Sequence, residues 1–263
     1  MQEQALENKK IICVDLDGTL VLTDTLIESV ILALKKNPLI ILILPLWILR
    51  GKLYFKNRIG SIVIPNCESL PYNYELIDYL KTEKQNNSII VLVTASIQSI
   101  ADAVARHLML FDFVYGSSDS VNLRAENKKN KLTEKFGFKK YIYAGDSKAD
   151  IPVWFGASSA ILVNPSKSII KELKKQVLVQ KTIYTPGKSI KSFIKEIRIY
   201  QWIKNILIFL PLLLAHQITN QPLLFTAFIA FLSYSFAASS IYILNDLLDL
   251  ESDRNHPRKK NRP

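Results

Sequence analysis

The sequence predicts an α/β domain built on a doubly wound parallel sheet, followed by all-α transmembrane helices. Three observations carry that prediction. From residue 9 to residue 165 short apolar runs alternate with polar helical stretches, the pattern of strands and crossover helices. Near residue 200 the hydropathy shifts abruptly, which divides the 263 residues into two pieces. Pro222 to Leu244 then runs 23 residues without a charge, long enough for a hydrocarbon core that needs about 20.

Composition narrows the partners. The formal charge of +11 is concentrated beside apolar segments, with no aromatic-interleaved basic groove, so anionic lipid headgroups fit better than nucleic acid. Only Cys13 and Cys67 are present, and Cys13 falls in a predicted core strand, so a reducing compartment is expected rather than a disulfide framework. Met1 to Lys10 contains Glu3 and Glu7 and no apolar run, so no cleavable signal peptide is expected there. No internal repeat or low-complexity segment is evident.

The elements follow in order. Ile11-Ile12-Cys13-Val14 reads as a buried strand, and Asp15-Leu16-Asp17-Gly18-Thr19-Leu20 follows directly. Open α/β sheets place their chemistry at the carboxyl ends of such strands. Alternation lets Asp15 and Asp17 face the same way, and Gly18 permits a sharp turn beside a ligand. A second apolar strand, Ser88 to Val93, ends at Thr94. A lysine-rich stretch offers Lys128, with Lys129 and Lys131 as rivals, and the strand Tyr141-Ile142-Tyr143-Ala144-Gly145 delivers Asp146 and Asp150. Each feature also has a plainer reading: solvated aspartates at a strand end, Thr94 capping a helix that begins near Ile97, and Lys128 on a solvated charged face.

Taken together and in this order, the four motifs resemble those of the haloacid dehalogenase (HAD) superfamily. The resemblance implies a Mg²⁺-dependent phosphatase with a Rossmann-like core over residues 1–165 and a small helical cap over about 23–87. It makes Asp15 the nucleophile that forms an aspartyl-phosphate and Asp17 the general acid and base. Thr94 and Lys128 would hold the phosphoryl oxygens of a small phosphorylated substrate. Asp146 and Asp150, with Asp15 and the carbonyl oxygen of Asp17, would complete the Mg²⁺ site. Within the cap, Pro38 to Leu49 is an apolar run of about twelve residues, short of a span, bracketed by Lys35, Lys36, Arg50, Lys52, Lys56 and Arg58. Packing within the cap and shallow membrane insertion both account for it.

A linker is expected over 166–190, with Thr185-Pro186-Gly187 near its end, and the membrane piece over 191–263 with spans at about 199–218 and 222–244. Lys188, Lys191, Lys195, Arg198 and Lys204 flank the first span, and Arg254, Arg258, Lys259, Lys260 and Arg262 follow the second. The positive-inside rule then makes the pair a hairpin in a multi-pass membrane protein, with the first domain cytoplasmic. Ser235, Ala237, Ala238, Ser239 and Ser240 supply small side chains for close helix packing.

Beyond that span, Asp246, Asp249 and Asp253 fall at i, i+3 and i+7, with Asn245 one turn before Asp249. Such a helix end is either simply solvated or a cation site. The run Asn245-Asp246-x-x-Asp249-x-x-x-Asp253, followed by Arg254 and His256-Pro257, resembles the first aspartate-rich motif of the UbiA prenyltransferase family. Arg198 to Asn205 resembles the first helix of its decaprenyl-phosphate phosphoribosyltransferase branch. The resemblance implies that Asp246, Asp249 and Asp253 hold Mg²⁺, that Asn245, Lys204 and Arg254 help hold a diphosphate, and that a polyprenyl phosphate or diphosphate is the lipid substrate. It covers only the beginning of a bundle of about nine helices, so the chain reads as truncated after its first aspartate-rich motif. The expected function is a phosphatase fused to a membrane transferase, acting in turn on a phosphoribosylated polyprenyl phosphate. Two alternatives are an aromatic or quinone-precursor prenyltransferase with a phosphatase for a soluble ester, and a membrane-anchored binding module with an inert site.

Overall fold

The computed structural model describes residues 9–174, 176–185 and 196–256. The chain divides into two compact units, Met1–Thr185 and Pro186–Pro263.

In the first unit, six parallel strands form one sheet: β1 (Ile11–Val14), β2 (Ile89–Ile97), β3 (Phe113–Ser117), β4 (Ile142–Gly145), β5 (Ser159–Val163) and β6 (Leu178–Ile183). Their order is β3-β2-β1-β4-β5-β6. The chain winds outward from β1 in one direction, then returns to β4 and winds the other way, so a crevice opens between β1 and β4 at their carboxyl ends. Alternation sends Ile12 and Val14 to one face with Leu76, Leu80, Ile100 and Val104. It sends Ile11 and Cys13 to the other with Tyr141, Tyr143 and Trp154. Both faces are buried, as a parallel sheet requires.

Three helices are inserted after β1: α1 (Thr25–Lys36), α2 (Ile40–Leu49) and α3 (Lys52–Ile62). Asp24 caps α1 by accepting from the Leu26 and Ile27 amides, and the three helices share a small core of Ala33, Ile40, Trp47 and Ile59. They form the cap. It is narrower than the expected 23–87, because α4 (Tyr74–Gln85) buries Leu76, Ile77 and Leu80 against the sheet. The connections continue with α5 (Gln98–Leu108), α6 (Glu126–Phe136) and α7 (Ile151–Gly156).

The expected linker over 166–190 is also corrected. Residues Lys167–Leu173 form α8, and β6 adds the sixth strand beside β5. Leu178-Val179-Gln180-Lys181-Thr182-Ile183 is half-solvated, which is why this edge strand lacks the continuous apolar run of its neighbours. Residues 186–190 of that linker lie outside the described residues.

The second unit departs from the expected pair of spans. Among the described residues one helix, α10 (Gln221–Leu248), is long and apolar enough to cross a membrane, by length and composition, with 28 residues and 17% of its most apolar window buried. The stretch expected to span at 199–218 is instead a 3₁₀ helix over Ile199–Phe209 followed by the short α9 (Leu210–Leu214). Pro211 cannot donate to the Leu207 carbonyl, which interrupts an α-helical ladder at that point. Ser235 and Ser239 of α10 are buried, and they accept from Asn205 Nδ2 at 2.9 Å and Trp202 Nε1 at 3.0 Å. The small residues thus serve close helix packing. Lys188, Lys191, Lys195, Arg258, Lys259, Lys260 and Arg262 lie outside the described residues.

Candidate active site

The strand order dictates where the polar residues of the first unit meet. Asp15 follows the last residue of β1, and its amide donates to the Ala144 carbonyl of β4 at 3.0 Å, which stitches the crevice at its floor. Gly18 sits at φ +76°, and a Cβ there would collide with the Asp146 carboxylate. Only glycine lets the loop after β1 pass so close to the end of β4.

Lys128, in the first turn of α6, is buried and lies 2.9 Å from Asp15 Oδ1 and 3.4 Å from Asp150 Oδ1. Its rivals are elsewhere: Lys129 pairs with Glu126 at 3.1 Å and Lys131 with Glu134 at 3.8 Å, both on solvated faces. Lys128 Nζ also donates to Tyr143 Oη at 2.8 Å, and Tyr143 in turn donates to Asp150 Oδ1 at 2.6 Å. The second Asp150 oxygen accepts from the amide and hydroxyl of Ser147 at 3.1 and 2.9 Å. Both Asp150 oxygens are therefore already engaged by donors. Asp146 Oδ1 accepts from Thr19 Oγ1 at 3.2 Å.

Carboxylate oxygens of Asp15, Asp146 and Asp150 come within 4.8 Å of one another, the one such acidic group among the described residues. Crowding and burial act on them as expected. Desolvation first, then the nearby Asp150 and Asp17 charges, push Asp15 up to about 8 against the pull of Lys128. Burial and Asp150 push Asp146 up to about 6. Burial alone would lower Lys128, yet Asp15 and Asp150 outweigh it and raise the ammonium above its ordinary value. A buried group of anions balanced by one cation, with hard oxygen donors converging, fits a small divalent cation such as Mg²⁺.

Asp17 turns to the cap side of the crevice. Its Oδ1 accepts from the Thr25 amide at 2.7 Å and its Oδ2 from Ser96 Oγ at 2.6 Å, while Ser96 and Thr25 share a hydroxyl contact of 2.8 Å. Burial still raises its carboxyl above the ordinary value despite these donors. Thr94 is buried near the end of β2, and its hydroxyl accepts from the Ser96 amide at 2.9 Å. It does not cap α5, whose N-cap residue Ile97 has no side-chain bond.

Sequence reasoning missed Ser96, Thr25, Thr19 and Tyr143, the residues that orient these carboxylates. It also missed the position of Lys56, which the cap helix α3 buries with Nζ 2.5 Å from the Ala95 carbonyl and 3.5 Å from Asn122 Oδ1. Burial, together with the nearby Lys52 charge, lowers this lysine below its ordinary value. Ser96 lies two residues beyond Thr94 and Tyr143 two before Gly145, but nothing in the sequence marks them apart from other strand-end polar residues.

The second unit does not gather its acidic residues in the same way. Asp246 is half-buried and pairs with Arg198 at 2.7 Å, Asp249 is exposed, and Asp253 is buried. The helix breaks at Asp249, where α10 ends and α11 (Leu250–Asn255) begins. Among the described residues these three carboxylates form no metal-sized group, and the break at Asp249 means that they do not share one continuous helix face. Asn245 is exposed and Arg254 half-buried near the same break. Lys204 lines a separate open groove of about 560 Å³, together with Arg198, Trp202, Asn205 and Tyr242.

No protein-family model matches the chain. An uncharacterized protein of Sinorhizobium fredii, y4nM, is 37% identical over 253 residues, 95% of this chain and 48% of that protein. The decaprenyl-phosphate phosphoribosyltransferase of Corynebacterium glutamicum is 41% identical over 80 residues, 30% of this chain and 24% of that enzyme. The chain thus spans about half the length of the first relative and a smaller share of the second. Among solved structures, a protein of unknown function from Bordetella pertussis Tohama I shares the fold with a TM-score of 0.53 at 14% identity, over 66% of this chain and 98% of that one.

Proposed function

We propose that the first unit is a Mg²⁺-dependent HAD-type phosphohydrolase. The single observation that carries the reading is the gathering of Asp15, Asp17, Thr94, Lys128 and Asp146, drawn from four separate stretches of sequence, at the carboxyl ends of β1, β2 and β4 and the first turn of α6. Asp15 Oδ1 already accepts from the Leu16 amide and Lys128, so Oδ2 is the oxygen that attacks phosphorus. Attack forms the Asp15 acyl-phosphate and breaks the bond to the leaving oxygen. Asp17, whose carboxyl burial raises above its ordinary value, donates a proton to that oxygen. It then removes a proton from the water that releases inorganic phosphate, restoring both groups. Thr94 and Lys128 hold the phosphoryl oxygens. Asp15, Asp146 and the Asp17 carbonyl would hold Mg²⁺, while Asp150, engaged by Tyr143 and Ser147, fixes Lys128 and completes the anionic site. When bound there, the metal would supply positive charge that lets an anionic nucleophile meet an anionic phosphate.

For the second unit we propose the amino-terminal part of a UbiA-type transferase of a polyprenyl phosphate, in the inner or cytoplasmic membrane with the first unit cytoplasmic. Its support is the Asn245-Asp246-x-x-Asp249 run and the 41% identity to the corynebacterial transferase over 80 residues. The two halves then act in sequence: the transferase attaches phosphoribose to the lipid phosphate, and the Asp15 site removes the terminal phosphate. Detergent-purified protein incubated with phosphoribosyl lipid is expected to release phosphate. No release by the wild type, or equal release by Asp15→Asn, overturns the reading.

A further inference from the structure

The cap carries an apolar surface that its own packing does not use. Helix α2 turns Ile40 and Trp47 inward, with Leu44 half-buried beside them. The rest of its surface is aliphatic and solvent-facing: Leu39 is 69% exposed, Leu42 73%, Leu46 58% and Leu49 83%, with Ile41 and Ile48 between. Single exposed leucines are ordinary, but a contiguous set on one helix marks an interaction surface.

Charge selects the partner. From Ser29 to Cys67 the sequence contains no aspartate or glutamate, whereas Lys35, Lys36, Arg50, Lys52 and Arg58 bracket α2. Arg58 stacks over Trp47 at 5.5 Å, and Arg50 lies over Tyr54 at 5.4 Å while donating to its hydroxyl. Exposed guanidinium groups at the rim of an aliphatic face, Arg50 and Arg58 here, suit a headgroup boundary. At 10 residues α2 is about 15 Å long, half of what a span requires, a length that suits lying in an interface plane and not crossing it. The same chain carries a helix long and apolar enough to cross a bilayer, which favours lipid as the partner of this face.

We infer that α2 is a membrane-docking face, seated among the headgroups of an anionic bilayer, which holds the cap against the lipid surface. The inference rests on exposure and charge and is independent of the chemistry proposed for Asp15. It also specifies where a phosphorylated lipid headgroup would reach the unit.

The test uses the full chain in vesicles of phosphatidylcholine and phosphatidylglycerol. A fluorophore is attached at Leu46→Cys in a Cys67→Ser background, Cys13 being buried, and a second protein carries it at Met109→Cys, an exposed site outside the cap. Nitroxide placed high on the acyl chains is expected to quench the Leu46 probe severalfold more than the Met109 probe. Replacing Arg50 and Lys52 by glutamate, or omitting phosphatidylglycerol, is expected to reduce that quenching severalfold. Unchanged melting temperatures of these surface variants exclude misfolding. Quenching of both probes by aqueous iodide alike overturns the inference, as does a Leu46 probe shielded from iodide and nitroxide together, the signature of a protein contact.

Discussion

The two acidic clusters of this chain invite comparison. In the first unit Asp15 is far in sequence from Asp146 and Asp150, yet the three come within 4.8 Å in space. In the second unit Asp246, Asp249 and Asp253 are close in sequence, yet they differ in burial and form no such group among the described residues. A parallel sheet brings strand ends to one line whatever their separation, and buried Lys128 makes the charge tolerable. A helix end offers only its own periodicity, which one break at Asp249 disrupts. Convergence of strand ends is therefore the stronger sign of an assembled site than spacing along a helix.

That contrast can be broken in several ways. The largest effect is expected for Asp15→Asn, which removes the nucleophile and should lower Mg²⁺-dependent release of phosphate from a soluble monoester by a thousandfold or more, on the order seen when a covalent nucleophile is lost. Asp17→Asn should cost roughly a hundredfold to ten-thousandfold, the range for a general acid and base, in steady-state rate. Lys128→Met leaves two buried carboxylates without their cation and is expected to destabilise the first unit by about 3 kcal/mol in denaturant unfolding. Gly18→Ala, strained at positive φ and forced against Asp146, should cost about 1–3 kcal/mol and disturb the site in the same measurement. Breaking Arg198–Asp246 in the second unit, a partly exposed pair, should cost no more than about 1 kcal/mol.

Titration sharpens the same comparison. Asp15 and Asp146 have folded values raised to about 8 and about 6. A carboxyl that keeps its proton longer in the folded than in the unfolded chain loses stability as pH rises between the two values. Metal-free protein is therefore expected to melt at progressively lower temperature from about pH 4 to about pH 8. Mg²⁺, which binds the deprotonated carboxylates, should restore more of the melting temperature at pH 8 than at pH 5.

Much of the first unit was legible because strand-end motifs are local. Asp15, Asp17, Thr94 and Asp146 could be placed from short runs of apolar residues ending in polar ones. Lys128 could not be separated from Lys129 and Lys131, since one face of α6 meets the crevice only through tertiary packing. Strand β6 looks like linker in the sequence because an edge strand alternates and carries lysine, and α4 looks like part of the cap because its apolar stripe does not reveal what it packs against. In the second unit an apolar stretch at 199–214 hid a 3₁₀ helix, as hydropathy reports composition rather than hydrogen-bond pattern.

The most direct measurement is mass spectrometry of acid-quenched protein after turnover of a phosphate monoester with Mg²⁺. One phosphoryl group on the peptide containing Asp15, absent without Mg²⁺ and absent in Asp15→Asn, is the predicted result. Phosphate release from the wild type with no phosphoryl group ever found on that peptide, or the same adduct persisting in Asp15→Asn, would contradict the assignment of Asp15 as nucleophile.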